Sequence, residues 1–177
     1  MDDILNNLTL QLNAELSLQN TKFTASYIGN DEEKFAALIQ LIETGNNRTA
    51  GRAAWVMEKL VADYPYLLTP YIFRLIKILP KAQNDALKRH ILKQLTQYAL
   101  PDKQLGFLYE YCMQLVLSKH ERVAGKVHAM QLMYIISEKE PDLKPELLDV
   151  LLSQYQHGSP GFKNRASKLV RKLEKEI

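Results

Sequence analysis

The chain is poor in the residues that mark several common protein classes. It contains one cysteine in 177 residues, so no disulfide can form within it. Glycine and proline occur seven times each, and no segment is of low complexity, which disfavours a disordered chain and a turn-rich all-β fold. No apolar run approaches the roughly 20 residues that span a bilayer, and the N-terminus lacks the basic and apolar regions of a signal peptide. These absences predict a cytoplasmic protein that has no membrane partner.

The motifs of common catalytic and cofactor sites are missing too. Neither phosphate-binding pattern, GxGxxG or GxxxxGK[ST], is present, and there is no Gly-x-Ser-x-Gly elbow. The four histidines do not pair with each other, with cysteine or with a carboxylate at metal-ligand spacing. The lone thiol, Cys112, lies in an apolar helical run and is typical of a buried packing residue. The sequence therefore predicts no catalytic residue, metal or cofactor, and favours a non-enzymatic protein over an enzyme.

A regular spacing of basic residues is the most informative feature that is present. Arg52, Arg89, Lys126 and Arg165 are separated by 37, 37 and 39 residues, and each opens a run that reads as an amphipathic helix. We refer to these four residues as the basic ladder. A fixed period in this range is typical of stacked helical repeats, in which each repeat covers the apolar flank of its neighbour.

Hydrophobic periodicity predicts helices throughout and no strand. Apolar residues recur at three- and four-residue spacing, and the segment from Gln19 to Asn30 is expected to break the pattern as a loop. The nine expected helices cover approximately residues 4–16, 31–44, 48–63, 67–79, 85–99, 102–118, 122–139, 145–155 and 162–176. We expect one all-α domain over residues 1–177, a short right-handed α-α superhelix. Residues 1–30 would form an N-terminal capping helix and loop, and residues 31–177 about four helix pairs.

The residues before the basic ladder carry a family resemblance. A polar or acidic residue precedes three of its members, as in Asn47…Arg52, Asp85…Arg89 and Glu121…Lys126. This pattern resembles a HEAT repeat, in which an Asp and an Arg near the start of the second helix bond across neighbouring repeats. The resemblance covers most of residues 31–177 and implies a solenoid of the HEAT or ARM type.

Longer runs resemble a group of small bacterial proteins that often carry the name adenylosuccinate lyase. The runs are RAAWVMEKL…YPYLL, KRHILKQL and VAGKVHAMQLMYIISEKEPDLKPEL. Only residues 158–164 are similar to the serine loop of such lyases, and they lack its paired serines and its Met-Pro. The segment is better interpreted as an inter-helix turn that places Phe162 in the core, which makes a lyase the least favoured function.

Charge suggests where a partner would bind. Residues 1–47 carry seven acids and two bases, for a net charge of −5, whereas residues 48–177 carry thirteen acids and twenty-one bases, for +8. Such asymmetry is compatible with an anionic partner, and equally with solvated helix faces. The candidate residues of a concave binding groove are Arg52, Trp55, Lys59, Arg89, Lys126 and Arg165. The basic ladder could instead brace neighbouring repeats internally.

The leading functional hypothesis is a non-enzymatic module that binds a protein or peptide through its concave face. The alternative partner is nucleic acid, because the resemblance to HEAT repeats extends to alkylpurine DNA glycosylases, which are known for a Trp, an Asp and an Arg in their groove. Trp55 lies one turn after Arg52, and Asp85 and Glu58 are the nearest acids, but the family's catalytic residues cannot be matched one by one. The sequence does not decide between a monomer and a dimer.

Overall fold

A computed structural model describes residues 2–177, and these residues form helices and no strand. The ten α-helices, α1 to α10, are Asp2–Ala14, Leu18–Ile28, Glu32–Thr44, Asn47–Asp63, Ile72–Ile78, Asp85–Leu95, Leu105–Leu117, Val123–Lys139, Lys144–Tyr155 and Pro160–Glu176. Short 3₁₀ turns join several of them. The all-α fold and the helix count of about nine are therefore confirmed. No helix of residues 2–177 is both long enough and apolar enough to cross a membrane.

The helices belong to two compact units, one ending at Gln94 and the other beginning at Leu95. In the first unit α4 packs against α1, α2 and α3. Its core includes side chains such as Phe35, Leu38 and Met57, which are fully buried. In the second unit α8 packs against α7, α9 and α10. The single domain expected over the whole chain stays a prediction.

Helix α2 was not expected, because residues 19–30 were predicted to be a loop. Ser17 caps the helix by accepting a hydrogen bond from the Asn20 N–H at 3.0 Å. Two of its three buried positions are threonines, Thr21 and Thr24, so the hydrophobic period is hidden in the sequence. Their hydroxyls donate to main-chain carbonyls four residues earlier. The prediction of a loop is wrong, although the stop signal is correct: α2 ends at Gly29, whose positive φ of 54° suits glycine.

Capping chemistry explains most of the remaining helix boundaries. Asp31 and Asn46 accept hydrogen bonds from main-chain N–H groups in the first turns of α3 and α4. Pro65 opens a 3₁₀ turn immediately after α4 ends. Several boundaries differ from expectation. Helix α5 begins at Ile72 rather than at residue 67, and α6 ends at Leu95 rather than at residue 99. Helix α7 begins at Leu105 rather than at residue 102, after a 3₁₀ turn that Asp102 opens.

The repeat period of the sequence reappears in the structure as the separation between bonded residues. Asn84 donates to the main-chain oxygen of Asn47, 37 residues earlier, at 2.7 Å. Lys139 donates to Asp102, also 37 residues earlier, at 3.0 Å. Each of these bonds lies within one of the two units. The first joins the starts of the second helices α4 and α6 and so links neighbouring repeats, whereas the second joins the end of α8 to the turn before α7 within one helix pair.

Candidate functional site

One face of α4 is lined by polar and small residues rather than by core residues. Arg48, Gly51, Arg52 and Trp55 follow one another at three- and four-residue spacing, which places them on the same side of the helix. The opposite side is buried and includes Ala53, Ala54, Val56 and Met57 in the core. The amphipathic pattern that makes α4 a helix thus also directs two arginines and the chain's single tryptophan outward together.

These side chains line a cavity of about 770 Å³ in the first unit. We call it the arginine cavity. Its walls come from α4, from the start of α6 and from the corner between α1 and α2. The lining residues are Leu16, Ser17, Leu18, Arg48, Gly51, Arg52, Trp55, Asn84, Ala86, Arg89 and His90. Among these described residues there are three arginines and a histidine but no carboxylate, so the walls favour an anionic group.

The three arginines of the cavity differ in what holds them. Arg52 is half-buried and donates from Nη1 to the main-chain oxygen of Leu12 at 2.7 Å, near the end of α1. Arg89 is exposed and donates from Nη2 to Nε2 of its neighbour His90 at 3.0 Å. Arg48 is exposed, and no side chain among residues 2–177 pairs with its guanidinium. Arg52 therefore connects α4 to the end of α1, whereas the N–H donors of Arg48 are available to a ligand.

A hydrogen-bonded cluster of His90, Glu58 and Lys93 adjoins the cavity wall. His90 is 3% exposed, and its Nδ1 lies 2.5 Å from Oε2 of Glu58 on α4. Lys93, one turn further along α6, donates to the other carboxylate oxygen at 2.7 Å. The pKa of Glu58 falls to about 2, chiefly because of the His90 hydrogen bond, with Lys93 adding to the effect against an opposing contribution from burial. Both carboxylate oxygens of Glu58 are thus engaged by neighbouring side chains.

Close approach between α4 and the start of α6 depends on Gly51. A Cβ atom added there would lie 2.9 Å from Nδ2 of Asn84. Asn84 accepts hydrogen bonds from the main-chain N–H groups of Ala86 and Leu87, at 2.8 and 3.2 Å, and so caps α6. Its amide also donates to Asn47 on α4. Asn84 thereby holds the positive end of the α6 dipole at the edge of the cavity.

The apolar part of the cavity is supplied by Trp55 and by two leucines. Trp55 is half-buried, and none of residues 2–177 accepts a hydrogen bond from its indole N–H. Leu16 and Leu18, at the corner before α2, are 66% and 47% exposed. The cavity therefore combines cationic groups with an apolar rim that water covers in the free protein.

The structure brings together three of the six groove residues predicted from the sequence: Arg52, Trp55 and Arg89 all line the arginine cavity. Lys59 faces a separate hollow of about 480 Å³ beside the end of α2. The roles of all six residues in binding stay predictions.

The other two members of the basic ladder lie in the second unit and bond within it. Lys126 donates to the main-chain oxygen of Val116, near the end of α7, at 3.0 Å. Arg165 donates to the side chain of Gln131 on α8 at 2.8 Å. Together with Arg52, these residues brace neighbouring helices.

Sequence reasoning missed several residues of the cavity. Arg48 could have been found, because it lies one turn before Arg52 on the same helical face. His90 and Asn84 have no local signal, since their roles come from contacts with residues 32 and 37 positions earlier. Leu16 and Leu18 read as part of the apolar pattern of the first helix, which hid their position at the cavity rim.

The remaining candidate chemistry has a structural explanation. Cys112 is fully buried, and burial raises the pKa of its thiol. Ser159 caps α10 by accepting from the Phe162 N–H at 3.4 Å, and Phe162 is buried as expected. Residues 160–164 form the start of α10, so only residues 158 and 159 of the expected turn lie outside the helix. Residues 2–177 contain no group of three His, Cys, Asp or Glu side chains placed to hold a metal ion.

Comparison with known proteins agrees with this architecture. A family model described as a HEAT repeat domain matches residues 8–173, which confirms the resemblance seen in the sequence. No curated protein and no solved structure matches the chain significantly.

Proposed function

Because the chain belongs to the HEAT repeat domain family, a kind of helical-repeat module that commonly mediates interactions, we propose that it binds a protein or peptide partner. The partner would occupy the arginine cavity, on the face that the sequence predicts to be concave. The observation that carries this proposal is the cavity itself. Within the described part of the chain, residues 2–177, it presents three arginines, two exposed leucines and an indole N–H that no residue accepts, and no carboxylate lines it.

The composition of the cavity favours a protein partner. Binding surfaces on proteins are enriched in Trp and Arg, and such residues supply most of the affinity when they lie at the centre of a contact. Trp55 and Arg48 lie about two turns apart on one face of α4, and the exposed leucines Leu16 and Leu18 border the same cavity. An extended peptide could bury the leucines and pair with the guanidinium at once.

The pattern of internal bonds argues in the same direction. Arg52, Lys126 and Arg165 each donate a hydrogen bond within their own unit. A phosphate backbone would need such cations free along its path, because its affinity comes from neutralising phosphates. The basic ladder supports the architecture of the repeats better than it supports nucleic-acid binding.

Selection from a displayed library of random twelve-residue peptides tests the proposal. Trp55 is the only tryptophan, so its emission reports directly on the cavity when the selected peptides lack tryptophan. Selected peptides should shift that emission saturably and should bind the variant carrying Leu16→Ser and Leu18→Ser more weakly. Leu152→Ser, at a similarly exposed leucine on α9, is the matched control and should leave binding unchanged. If no peptide is enriched, or if the rim variant binds as well as the wild type, the proposal fails.

A further inference from the structure

The charges around the arginine cavity indicate the chemistry of its occupant. Three arginines line it, and two acids on the helices that form its walls already have partners within the protein. Glu58 is held by His90 and Lys93, and Asp85 pairs with Lys88 at 3.5 Å. We infer that the occupant is an acidic peptide segment of a partner protein, in which carboxylate side chains flank a large apolar side chain. This inference rests on the proposed function and specifies its partner.

Arg48 is the principal carboxylate receptor of the site. It is exposed at the first turn of α4 and has no partner among residues 2–177. A guanidinium presents paired N–H donors that match the two oxygens of a carboxylate, and such bidentate pairs are among the stronger hydrogen bonds in proteins. Arg89 stands on the facing helix α6 and uses Nη2 for His90. Its other N–H groups are available to a second carboxylate.

The apolar side chain of the segment would lie on Leu16, Leu18 and Trp55. These residues border the same cavity as Arg48 and Arg89, so one segment can contact both kinds of group. Covering two exposed leucines removes apolar surface from water, which stabilises the complex. A purely acidic segment would leave the two leucines and Trp55 exposed to water, and a purely apolar segment would leave Arg48 without a counter-charge.

A nucleic-acid duplex fits the same surface less well. Its phosphate backbone would meet the exposed leucines with charged groups, and hydrated phosphates gain nothing from apolar contacts. Arg52 and Arg89 already donate to Leu12 and to His90, which leaves Arg48 as the cavity arginine without a partner among residues 2–177. The observations therefore favour an acidic protein segment over a duplex, and a single strand is one of the probes below.

Titration with four synthetic probes tests the inference, with Trp55 emission as the readout. The first is a twelve-residue peptide of repeated Glu-Glu-Leu. The second replaces every Glu with Gln, and the third replaces every Leu with Ser. The fourth is an oligothymidylate of twelve nucleotides. All four are titrated into the wild type, into Arg48→Ala and into Lys168→Glu, a charge change at an exposed lysine on α10 in the other unit.

The Glu-Glu-Leu peptide should bind the wild type most tightly. Replacing Glu with Gln, or Arg48 with Ala, should each weaken binding by roughly tenfold, as expected for loss of hydrogen bonds between charged groups. The serine peptide should also bind more weakly, and Lys168→Glu should bind as the wild type does.

The possible contrary results are distinguishable. If the glutamine peptide binds as tightly as the glutamate peptide, the acidic partner is wrong, while the proposed peptide-binding function stands. If the oligothymidylate alone binds and Arg48→Ala abolishes that binding, both the inference and the proposed function are overturned.

Discussion

Nδ1 of His90 on α6 lies 2.5 Å from Oε2 of Glu58, which lies 32 positions earlier, on α4. The other ring nitrogen, Nε2, lies 3.0 Å from Nη2 of Arg89. A guanidinium can only donate, so Nε2 must accept and therefore carries no proton. The imidazole is thus held as its Nδ1–H tautomer, donating to the carboxylate.

This tautomer can be observed directly. We expect a long-range ¹H–¹⁵N spectrum of the protein at neutral pH to show the His90 ring protonated at Nδ1 and unprotonated at Nε2. In Arg89→Ala the constraint on Nε2 is removed, so the spectrum should report a changed environment at that nitrogen. The exposed residues His120 and His157 serve as internal references. An Nε2–H tautomer in the wild type would contradict the assigned hydrogen bonds.

Glu58 should stabilise the fold in a pH-dependent way. Folding lowers its pKa from 4.5 to about 2, mainly through the His90 hydrogen bond. Because the folded-state pKa is the lower one, the stabilisation is present above about pH 4.5 and is lost as the pH falls towards 2. Glu58→Gln should cost about 2 kcal/mol of unfolding free energy at neutral pH, the usual size for a hydrogen bond to a charged group.

Urea denaturation at a series of pH values measures this effect. The difference in unfolding free energy between the wild type and Glu58→Gln should shrink between about pH 4.5 and pH 2. Glu15→Gln, at an exposed residue between α1 and α2, should show no comparable difference. A constant difference across the whole range would mean that Glu58 acts through packing rather than through its charge.

Gly51 and Gly106 provide a matched pair of helical glycines. Replacing a helix-interior glycine with alanine normally stabilises a helix by about 1 kcal/mol. At Gly106 on α7 nothing lies within 4 Å of the added Cβ, so Gly106→Ala should raise the unfolding free energy. At Gly51 the Cβ would lie 2.9 Å from Nδ2 of Asn84, whose three hydrogen bonds keep it in place.

Gly51→Ala should therefore lower the unfolding free energy, by about 1 kcal/mol, because the α6 cap is disturbed. Thermal or urea denaturation of the two variants should give changes of opposite sign. If Gly51→Ala stabilises the protein as Gly106→Ala does, then Asn84 moves aside freely and does not hold α4 and α6 in register.

The sequence predicts repeat positions better than it predicts the site. The four residues of the basic ladder all lie in the second helix of a pair, as expected: in α4, α6, α8 and α10. A residue that makes the same packing contact in each repeat recurs at the repeat period, so the sequence alone reveals it. The cavity depends instead on contacts between particular repeats. A glycine is needed at position 51 because Asn84 packs closely against it. Helix α2 packs through buried threonines in place of the usual apolar stripe.

Cys112 should be chemically silent in the folded protein. It is fully buried on α7, and burial raises the pKa of the thiol, so little reactive thiolate forms. Ellman's reagent should react with it slowly in buffer and rapidly in denaturing urea. A Cys112→Ala chain carrying Lys168→Cys should react rapidly in buffer, because residue 168 is exposed. Equal rates for the two native proteins would show that α7 opens readily.

Duplex DNA provides the decisive contrast for the basic ladder. Three of its four members donate to groups within their own unit, so these cations are already partly engaged inside the protein. We expect no complex with a 20-base-pair duplex at physiological salt. If Arg48 and Arg89 alone met phosphates, two contacts would give a slope of about −1.8 in log affinity against log salt. The slope could instead be markedly steeper, and Arg52→Ala, Lys126→Ala and Arg165→Ala could each reduce it. That result would show that the basic ladder binds a phosphate backbone in place of its internal hydrogen bonds.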